Sequence, residues 1–113
     1  MGVKVYKIKY TYSSRDDMLS MKKYIFDNFK YKELCVNYIN KLKRAIEGLK
    51  ILPSGFDTIG LQFRGYDIYL KPYESYLLFY VVDEETGVVT ILRVMHDGMN
   101  WELALKKWIK NNK

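Results

Sequence analysis

The chain has 113 residues, of which 49% are hydrophobic and 16% aromatic, and it carries a formal net charge of +6. This length suits one domain, and so large a hydrophobic fraction argues against disorder. With one Cys and one His, neither an intramolecular disulfide nor a zinc site is expected, and no apolar run approaches the ~20 residues of a membrane span. We therefore expect a single, basic, cytoplasmic domain over residues 1–113, with no metal, no cofactor and no membrane association.

The chain opens with a pattern typical of a strand followed by a helix. Over residues 3–12, Lys alternates with Val, Ile and Tyr, and a slip in the phase of this alternation predicts a bulge. Ser14 is the expected N-cap of the helix, with Asp16 and Asp17 at the positive end of its dipole. The helix carries an apolar stripe at spacings of three and four residues: Met18, Met21, Ile25 and Phe29.

A second amphipathic helix follows after a short break. Its apolar stripe predicts a helix over residues 33–50, which Pro53 and Gly55 terminate. Two adjacent helices with a short connection form an αα-hairpin. Residues 53–59 are predicted to be a loop.

The second half of the sequence is dominated by strand patterns. A strand signal over residues 61–71 is punctuated by Gly65. Residues 76–83 are apolar at almost every position, which predicts a central strand that is covered on both faces. Residues 84–87 have the composition of a hairpin turn, and residues 88–95 supply the partner strand.

The chain closes with a short helix and completes the order β-α-α-β-β-β-α. Trp101, Leu105 and Trp108 recur at helical spacing, and Asn100 is a plausible N-cap. The predicted fold class is α+β: a twisted, mainly antiparallel sheet with the αα-hairpin on one face and a short C-terminal helix.

Three stretches of this sequence carry motifs that occur together in one protein family. Residues 8–25 are similar to an opening strand and a "DL…I…YI" first helix, and residues 46–53 to an "I..L..fP" helix end. Residues 76–96 are similar to a "Y..FY.VDEE…V.ILRV.H" hairpin. In this order and spacing, the three stretches resemble the RelE/ParE superfamily of toxins from type II toxin–antitoxin systems.

The resemblance implies a RelE/ParE-like fold and a small growth-inhibiting toxin, often linked to plasmid stabilisation, that a cognate antitoxin holds inactive. In this family a C-terminal segment of the antitoxin wraps the toxin as helix and strand. RelE-like members are mRNA interferases that cut mRNA in the ribosomal A site without a metal, whereas ParE-like members are inhibitors of DNA gyrase. The implied partners are therefore the antitoxin and either the ribosome with its mRNA or DNA gyrase.

The residues available for RNA cleavage decide between the two branches. Metal-free cleavage needs a base, an acid and cations that stabilise the phosphorane, and the resemblance implies that these groups lie on the open sheet face and in the C-terminal segment. Here Leu77, Tyr69 and the segment 97–100 occupy three positions that often carry Arg in the family. Residues 51–97 carry three basic and seven acidic groups, a net charge of −4, which works against holding a phosphate backbone.

Four residues remain as candidate catalytic groups: Arg64, Lys71, Arg93 and His96. If the last strand runs straight, Arg93 shares a face with Val89, Ile91 and Met95, while His96 points to the opposite face. The two side chains converge only if the strand ends or bulges at Met95.

Two of these candidates, His96 and Arg93, each have two possible roles. His96 is either a general acid or base, helped by an unperturbed pKa near 6.5, or a half-buried residue at the strand-to-helix corner. Arg93 either contacts phosphate or forms a salt bridge at the sheet edge. The structural role is the one we favour for His96.

Other side chains leave similar alternatives open. Three tyrosines either stack on bases or lie half-buried in ordinary strands: Tyr66, Tyr69 and Tyr73. A basic helix face is either solvated or contacts nucleic acid or gyrase: Lys41, Lys43 and Arg44. The C-terminal helix either packs on the sheet, which we expect, or swings away to leave a groove for an antitoxin helix. We expect the adjoining groove to be lined by Leu70, Phe79 and Ile91.

The sequence thus favours a toxin that is ParE-like or catalytically degenerate. One alternative is a ribosome-dependent, metal-independent mRNA endoribonuclease that uses Arg64, Lys71, Arg93 and His96. Another is a non-toxic basic binding module on the same scaffold.

Overall fold

The computed structural model of the chain describes residues 2–28 and 30–113. Its elements are β1 Lys7–Tyr10, α1 Tyr12–Asn28, α2 Lys32–Glu47, β2 Asp57–Phe63, β3 Tyr66–Tyr73, β4 Tyr76–Asp83, β5 Val88–His96 and α3 Trp101–Asn111. The predicted α+β class is confirmed. The order of elements is as predicted, except that the stretch around Gly65 folds as two strands, β2 and β3.

One five-stranded sheet, in the order β1-β5-β4-β3-β2, forms the centre of the fold. All neighbouring pairs are antiparallel except β1 and β5, which run parallel. β4 lies in the middle, and its residues from Tyr76 to Val81 are all buried. This position explains why the strand is apolar at both parities, and the predicted central strand is confirmed.

The two faces of the sheet are covered by different helices. On one side, here called the hairpin face, α1 and α2 pack over Leu78, Tyr80, Val89, Ile91 and Val94. On the other, here called the α3 face, α3 packs over Ile68, Leu70, Leu77, Phe79 and Met95. The α3 face is therefore an apolar core layer.

The N-terminal boundaries differ from those that the sequence predicts. β1 is shorter than the predicted strand over residues 3–12, and residues 3–6 precede it, so the predicted bulge is absent from the strand. α1 begins at Tyr12, and Ser14 is not its N-cap. Thr11 takes that place, because its Oγ1 accepts a hydrogen bond from the Ser14 amide at 3.0 Å while its own hydroxyl donates to the Leu92 carbonyl at 2.7 Å.

The earlier start of α1 also changes the positions of its acidic residues. Asp16 and Asp17 lie beyond the first turn, so they are not at the positive end of the helix dipole as predicted. Of the predicted apolar stripe, Met21 and Ile25 are buried, and Phe29 lies outside the described residues.

The boundaries on either side of the predicted loop are also revised. α2 ends at Glu47 and passes into a single 3-10 turn, Gly48–Lys50. β2 starts at Asp57, inside the predicted loop, and its register with β3 shifts between Thr58 and Gln62. Gly60, with φ of +78°, lies in this irregular stretch and obscures the strand pattern in the sequence.

Candidate functional site

The α3 face is the sheet surface on which the resemblance implies RNA-cleaving groups, and in this protein α3 closes it over Leu77, Phe79 and Met95. Leu105 and Trp108 of α3 lie buried on it, and the Trp101 ring lies 5.2 Å from that of Phe79. The predicted packing of the C-terminal helix is thus confirmed. The predicted groove is wrong, because Phe79 lies under α3 and Ile91 lies on the hairpin face.

Polar contacts hold α3 in place at both ends. Asn100 caps its start, with the side-chain oxygen accepting from the Leu103 amide at 3.4 Å, so the predicted N-cap is confirmed. Towards its end, the Trp108 indole donates to the Ser13 hydroxyl at 2.8 Å. The Arg64 guanidinium donates to the carbonyl of Asn112 at 3.3 Å. α3 is therefore tied to α1 and to the β2–β3 turn as well as to the sheet.

Arg93 lies beside a bulge in β5 that the sequence did not reveal. Phe79 pairs with Arg93 and Tyr80 pairs with Ile91, so Leu92 is an extra residue in β5. Arg93 therefore does not share a face with Ile91, although in a straight strand the two side chains would lie on the same face. Because the bulge lies at Leu92 and not at Met95, it does not bring Arg93 towards the end of the strand.

The Arg93 guanidinium forms a bidentate ion pair with Asp17 of α1. The Nε–Oδ2 and Nη2–Oδ1 distances are 2.7 Å and 2.8 Å, and the two side chains are only 21% and 15% exposed. Asp17 also accepts a hydrogen bond from the Val94 amide at 3.0 Å. This arrangement fastens α1 to the edge of β5 beyond the end of β1.

Lys71 is engaged with the helical hairpin. Its partner in β4 is Leu78, which places it on the hairpin face. Its Nζ donates to the Ala45 carbonyl at 2.7 Å and lies 5.1 Å from the centre of the Phe56 ring. Burial lowers the pKa of Lys71. The ammonium group thus satisfies a carbonyl in the last turn of α2.

Arg64 occupies the tight turn between β2 and β3. Its φ is +52° and that of Gly65 is +86°, the conformation that a two-residue type I′ hairpin turn requires at both positions. The guanidinium lies 4.8 Å from the centre of the Phe63 ring. Arg64 is exposed and faces a cleft at the end of the sheet.

This cleft has a volume of about 700 Å³ and adjoins the C-terminal end of α3. Lys9 and Arg64 contribute its cations, and Tyr12 and Tyr66 contribute aromatic rings. The Tyr66 hydroxyl donates to Asp83 at 3.1 Å, and this hydrogen bond raises the pKa of Tyr66 and helps to lower that of Asp83. The cleft is the part of the α3 side of the sheet that remains open.

The three tyrosines singled out in the sequence do not form a common surface. Tyr66 lines the cleft, whereas Tyr69 and Tyr73 pack against the core of the hairpin face. The Tyr69 ring stacks on that of Tyr80 at a centroid distance of 5.4 Å. Of the three, Tyr66 is the one that is accessible from the cleft.

His96 is exposed at the end of β5. It pairs with Tyr76, a residue of the hairpin face, and the two rings meet edge to face at 5.5 Å. Its Nδ1 accepts a hydrogen bond from the Gly98 amide at 3.0 Å and lies 3.8 Å from Asp97 Oδ1. His96 thus lies at the strand-to-helix corner, with 54% of its side chain exposed and its ring held by Tyr76 and the Gly98 amide.

The four candidate residues therefore contact four different parts of the molecule. Within residues 2–28 and 30–113, none is hydrogen-bonded or ion-paired to another of the four: Arg64, Lys71, Arg93 and His96. Over the same residues, no helix has the length and apolar character needed to cross a bilayer.

Comparison with known proteins identifies the family. The family model described as ParE toxin of type II toxin–antitoxin system, parDE, matches residues 8–101. No curated protein sequence matches the chain.

Solved structures show the same fold at low sequence identity. The RelBE2 toxin–antitoxin complex of Mycobacterium tuberculosis matches at 21% identity and a TM-score of 0.54, over 81% of this chain and 91% of that chain. The archaeal RelE–RelB complex of Pyrococcus horikoshii OT3 matches at 20% identity and a TM-score of 0.57, over 83% of this chain and 97% of that chain. The chromosomal ParDE system of P. aeruginosa matches at 11% identity and a TM-score of 0.63, over 81% of this chain and 96% of that chain. Since the family model spans most of the sequence and the fold agrees, the chain belongs to the RelE/ParE superfamily of toxins of type II toxin–antitoxin systems.

Proposed function

We propose that this protein inhibits growth as a ParE-like toxin, with DNA gyrase as its target, and that a cognate antitoxin neutralises it in the cytoplasm. The observation that carries this proposal is the closed, apolar α3 face. A toxin that cleaves RNA on the sheet needs cations there, because charge builds up on the phosphate in the transition state. Here the same surface is a core layer beneath α3.

Leu77 illustrates the difference most clearly. In the family, the residue after the first Tyr of the hairpin motif is often Arg, whereas Leu77 is 9% exposed and packs under α3. An anion beside Leu77 would lose its hydration without gaining a cationic partner, which costs several kcal/mol at the least. RNA would reach this position only if α3 and its two Trp side chains moved away.

The positions of the candidate cations support the same proposal. Arg93 is paired with Asp17, and Lys71 is bound to a backbone carbonyl of α2. These two groups stabilise the fold, and neither is available to a phosphate without breaking the contact. A target that is recognised as a folded protein does not require them.

An antitoxin partner is supported by the comparisons. Two of the matching structures are complexes of a RelE-type toxin with its antitoxin, and the third is a ParDE toxin–antitoxin system. A chain of this family expressed without its antitoxin should therefore stop growth.

A supercoiling assay with purified components tests the choice of target. Relaxed plasmid, gyrase and ATP are incubated with increasing amounts of the toxin, and topoisomers are resolved on a gel. We expect a dose-dependent loss of supercoiling, with heat-denatured toxin as the control. Full supercoiling at a large molar excess of toxin that arrests growth in cells would rule out gyrase as the target.

One observation favours a second candidate, the metal-independent mRNA endoribonuclease. The open cleft combines Lys9 and Arg64 with the rings of Tyr12 and Tyr66, and cations beside aromatic rings suit a single-stranded nucleic acid. If this candidate is correct, Lys9→Ala and Arg64→Ala should abolish mRNA cuts, whereas Lys107→Ala on the exposed side of α3 should not.

A further inference from the structure

The open cleft at the end of the sheet has the size and the charge of a pocket for a small ligand. Its volume of about 700 Å³ lies in the range of pockets that enclose small molecules. Lys9 of β1 and Arg64 of the β2–β3 turn supply its cations, and both are exposed. Among the described residues, neither of the two forms an ion pair. Both positive charges are therefore available to an anionic group that enters the cleft.

Asp83 is the acidic residue of the cleft lining, and its carboxylate is engaged within the protein. Oδ1 accepts from the backbone amides of Glu85 and Thr86 at 3.0 Å and 3.2 Å, while Oδ2 accepts from the Tyr66 hydroxyl at 3.1 Å. These three donors partly compensate its negative charge and hold it at the β4–β5 turn. Asp83 therefore does not neutralise the two cations of the cleft.

Aromatic rings and apolar side chains form much of the remaining surface of the cleft. Tyr12 and Tyr66 are 87% and 40% exposed, so both rings are accessible. Val81 and Leu92 of the sheet and Trp108 of α3 supply apolar surface beside them. A nucleobase is a planar group that stacks favourably on accessible aromatic rings. The cleft thus combines a surface for a base with cations for phosphate.

We propose that this cleft binds a free nucleotide, in the form of a nucleoside di- or triphosphate. Its phosphate chain would contact Lys9 and Arg64, and its base would lie against the rings of Tyr12 and Tyr66. The Arg64 guanidinium donates one hydrogen bond to the Asn112 carbonyl and retains further N–H groups for phosphate oxygens. This inference goes beyond the proposed function, because inhibition of gyrase requires no small ligand in the cleft.

A free nucleotide suits the cleft better than a nucleotide within an RNA strand, although both offer the same chemical groups. Trp108 and Asn112, near the end of α3, border the cleft, and beyond them α3 closes the sheet over Phe79 and Met95. An RNA strand that entered the cleft would therefore have no open path across this face of the sheet. A free nucleotide needs no such path.

Binding is tested with an ADP that carries the fluorescent N-methylanthraniloyl group. Trp108 lines the cleft, so excitation of tryptophan should give emission from the bound label by energy transfer. The signal should saturate as labelled ADP is added to the full-length protein, and unlabelled ADP should displace the label. Adenosine or pyrophosphate alone should compete at least tenfold more weakly, because each offers only part of the contacts.

Two single variants remove the cations that the proposal places at the phosphates. Lys9→Ala and Arg64→Asn should each weaken binding at least fivefold, and asparagine is chosen because it tolerates the positive φ of Arg64. The matched controls Lys23→Ala and Lys32→Ala each remove one positive charge from an exposed position of the αα-hairpin. Both controls should bind within twofold of the unaltered protein. Circular dichroism checks that each variant is folded before it is titrated.

A double variant tests the aromatic contacts in the same assay. Tyr12→Leu combined with Tyr66→Leu should weaken binding at least fivefold, because the base loses both rings. The matched control combines Tyr24→Leu with Tyr31→Leu, two tyrosines that are each 60% exposed on the αα-hairpin. This control should bind within twofold of the unaltered protein.

Three results would overturn the proposal: ADP at about 1 mM fails to displace the label, pyrophosphate competes as well as ADP, or the cation variants bind like their controls. A single-stranded RNA of about 12 nucleotides that binds more than tenfold tighter than ADP, with the same loss in Lys9→Ala, would also overturn it, because the cleft would then serve an RNA strand. None of these assays contains gyrase, so their outcome is independent of the supercoiling result.

Discussion

At the scale of single residues, the contacts of each cationic side chain determine its role in this protein. Parity along the last strand predicts that Arg93 and His96 face opposite ways, and the register agrees. The partner of Arg93 was not predictable, because Asp17 lies 76 residues away along the chain. The bulge at Leu92 was not predictable either. Ile91 and Leu92 are both apolar, so the sequence alone does not show which of them is the extra residue.

Replacing Arg93 should affect stability more than toxicity. Arg93→Ala leaves the Asp17 carboxylate largely buried without its cation, which should lower the free energy of unfolding by about 2–4 kcal/mol. Urea denaturation measures the loss. Asp17→Asn should cost a similar amount, and the double variant should cost clearly less than the sum of the two.

The contrary outcome for Arg93 is also specific. If Arg93→Ala unfolds like the unaltered protein but no longer arrests growth, its side chain acts on the target and does not serve the fold. Growth should be tested at reduced temperature, so that the variant remains folded.

Tyr80 should make stability depend on alkaline pH. Its buried hydroxyl donates to the Pro53 carbonyl, and burial raises its pKa. Because the raised pKa belongs to the folded state, this contribution is complete below the unfolded value near 10 and is lost as the pH rises above it. Above pH 10, Tyr80→Phe should therefore lose stability less steeply than the unaltered protein, by up to about 1.4 kcal/mol per pH unit.

The matched control for Tyr80 is the exposed Tyr12. Chemical denaturation between pH 7 and pH 11 should show the same slope for Tyr12→Phe as for the unaltered protein. At pH 7, Tyr80→Phe should be less stable by about 1 kcal/mol, because the Pro53 carbonyl loses a donor. Parallel curves for all three proteins would show that Tyr80 does not hold its proton more strongly in the folded state.

At the scale of elements, a strand or turn was predictable where a single local feature of the sequence determines it. The unbroken apolar run of β4 and the hairpin turn after it, with Gly87 at φ of +68°, are placed as expected. The start of β2 was predicted to be a loop, because Asp57 and Gly60 disrupt its alternation. The start of α1 was placed too late, because Thr11 and Ser14 are both good caps and only the contact with β5 decides between them.

Two leucines of α3 offer a direct test of how this helix packs. Leu105 is fully buried against the sheet, whereas Leu103 is 54% exposed. Leu105→Ala should lower the free energy of unfolding by about 2–5 kcal/mol, and Leu103→Ala should change it by less than about 0.5 kcal/mol. Thermal or urea denaturation measures both. Equal, small effects would indicate that α3 detaches readily and that the α3 face is accessible.

At the scale of the whole molecule, the fold was more predictable than the site. The order of elements and three motifs indicated the family, because each depends on local sequence. The site depends on which face each side chain reaches, and that is set by bulges, register and the placement of α3. The structure divides the exposed positive charge between separate surfaces, with Lys9 and Arg64 at the open cleft and Arg15, Lys22 and Lys43 on the αα-hairpin.

The closed α3 face is tested most directly by mapping RNA 5′ ends after the toxin is induced without its antitoxin. Cells that carry the gene under a tight promoter are sampled before and after growth stops, and translated mRNAs are analysed by primer extension. A toxin whose sheet is sealed by α3 should arrest growth without new cuts in these messages. Cuts that recur in phase with codons, at the time when growth stops, would contradict this account.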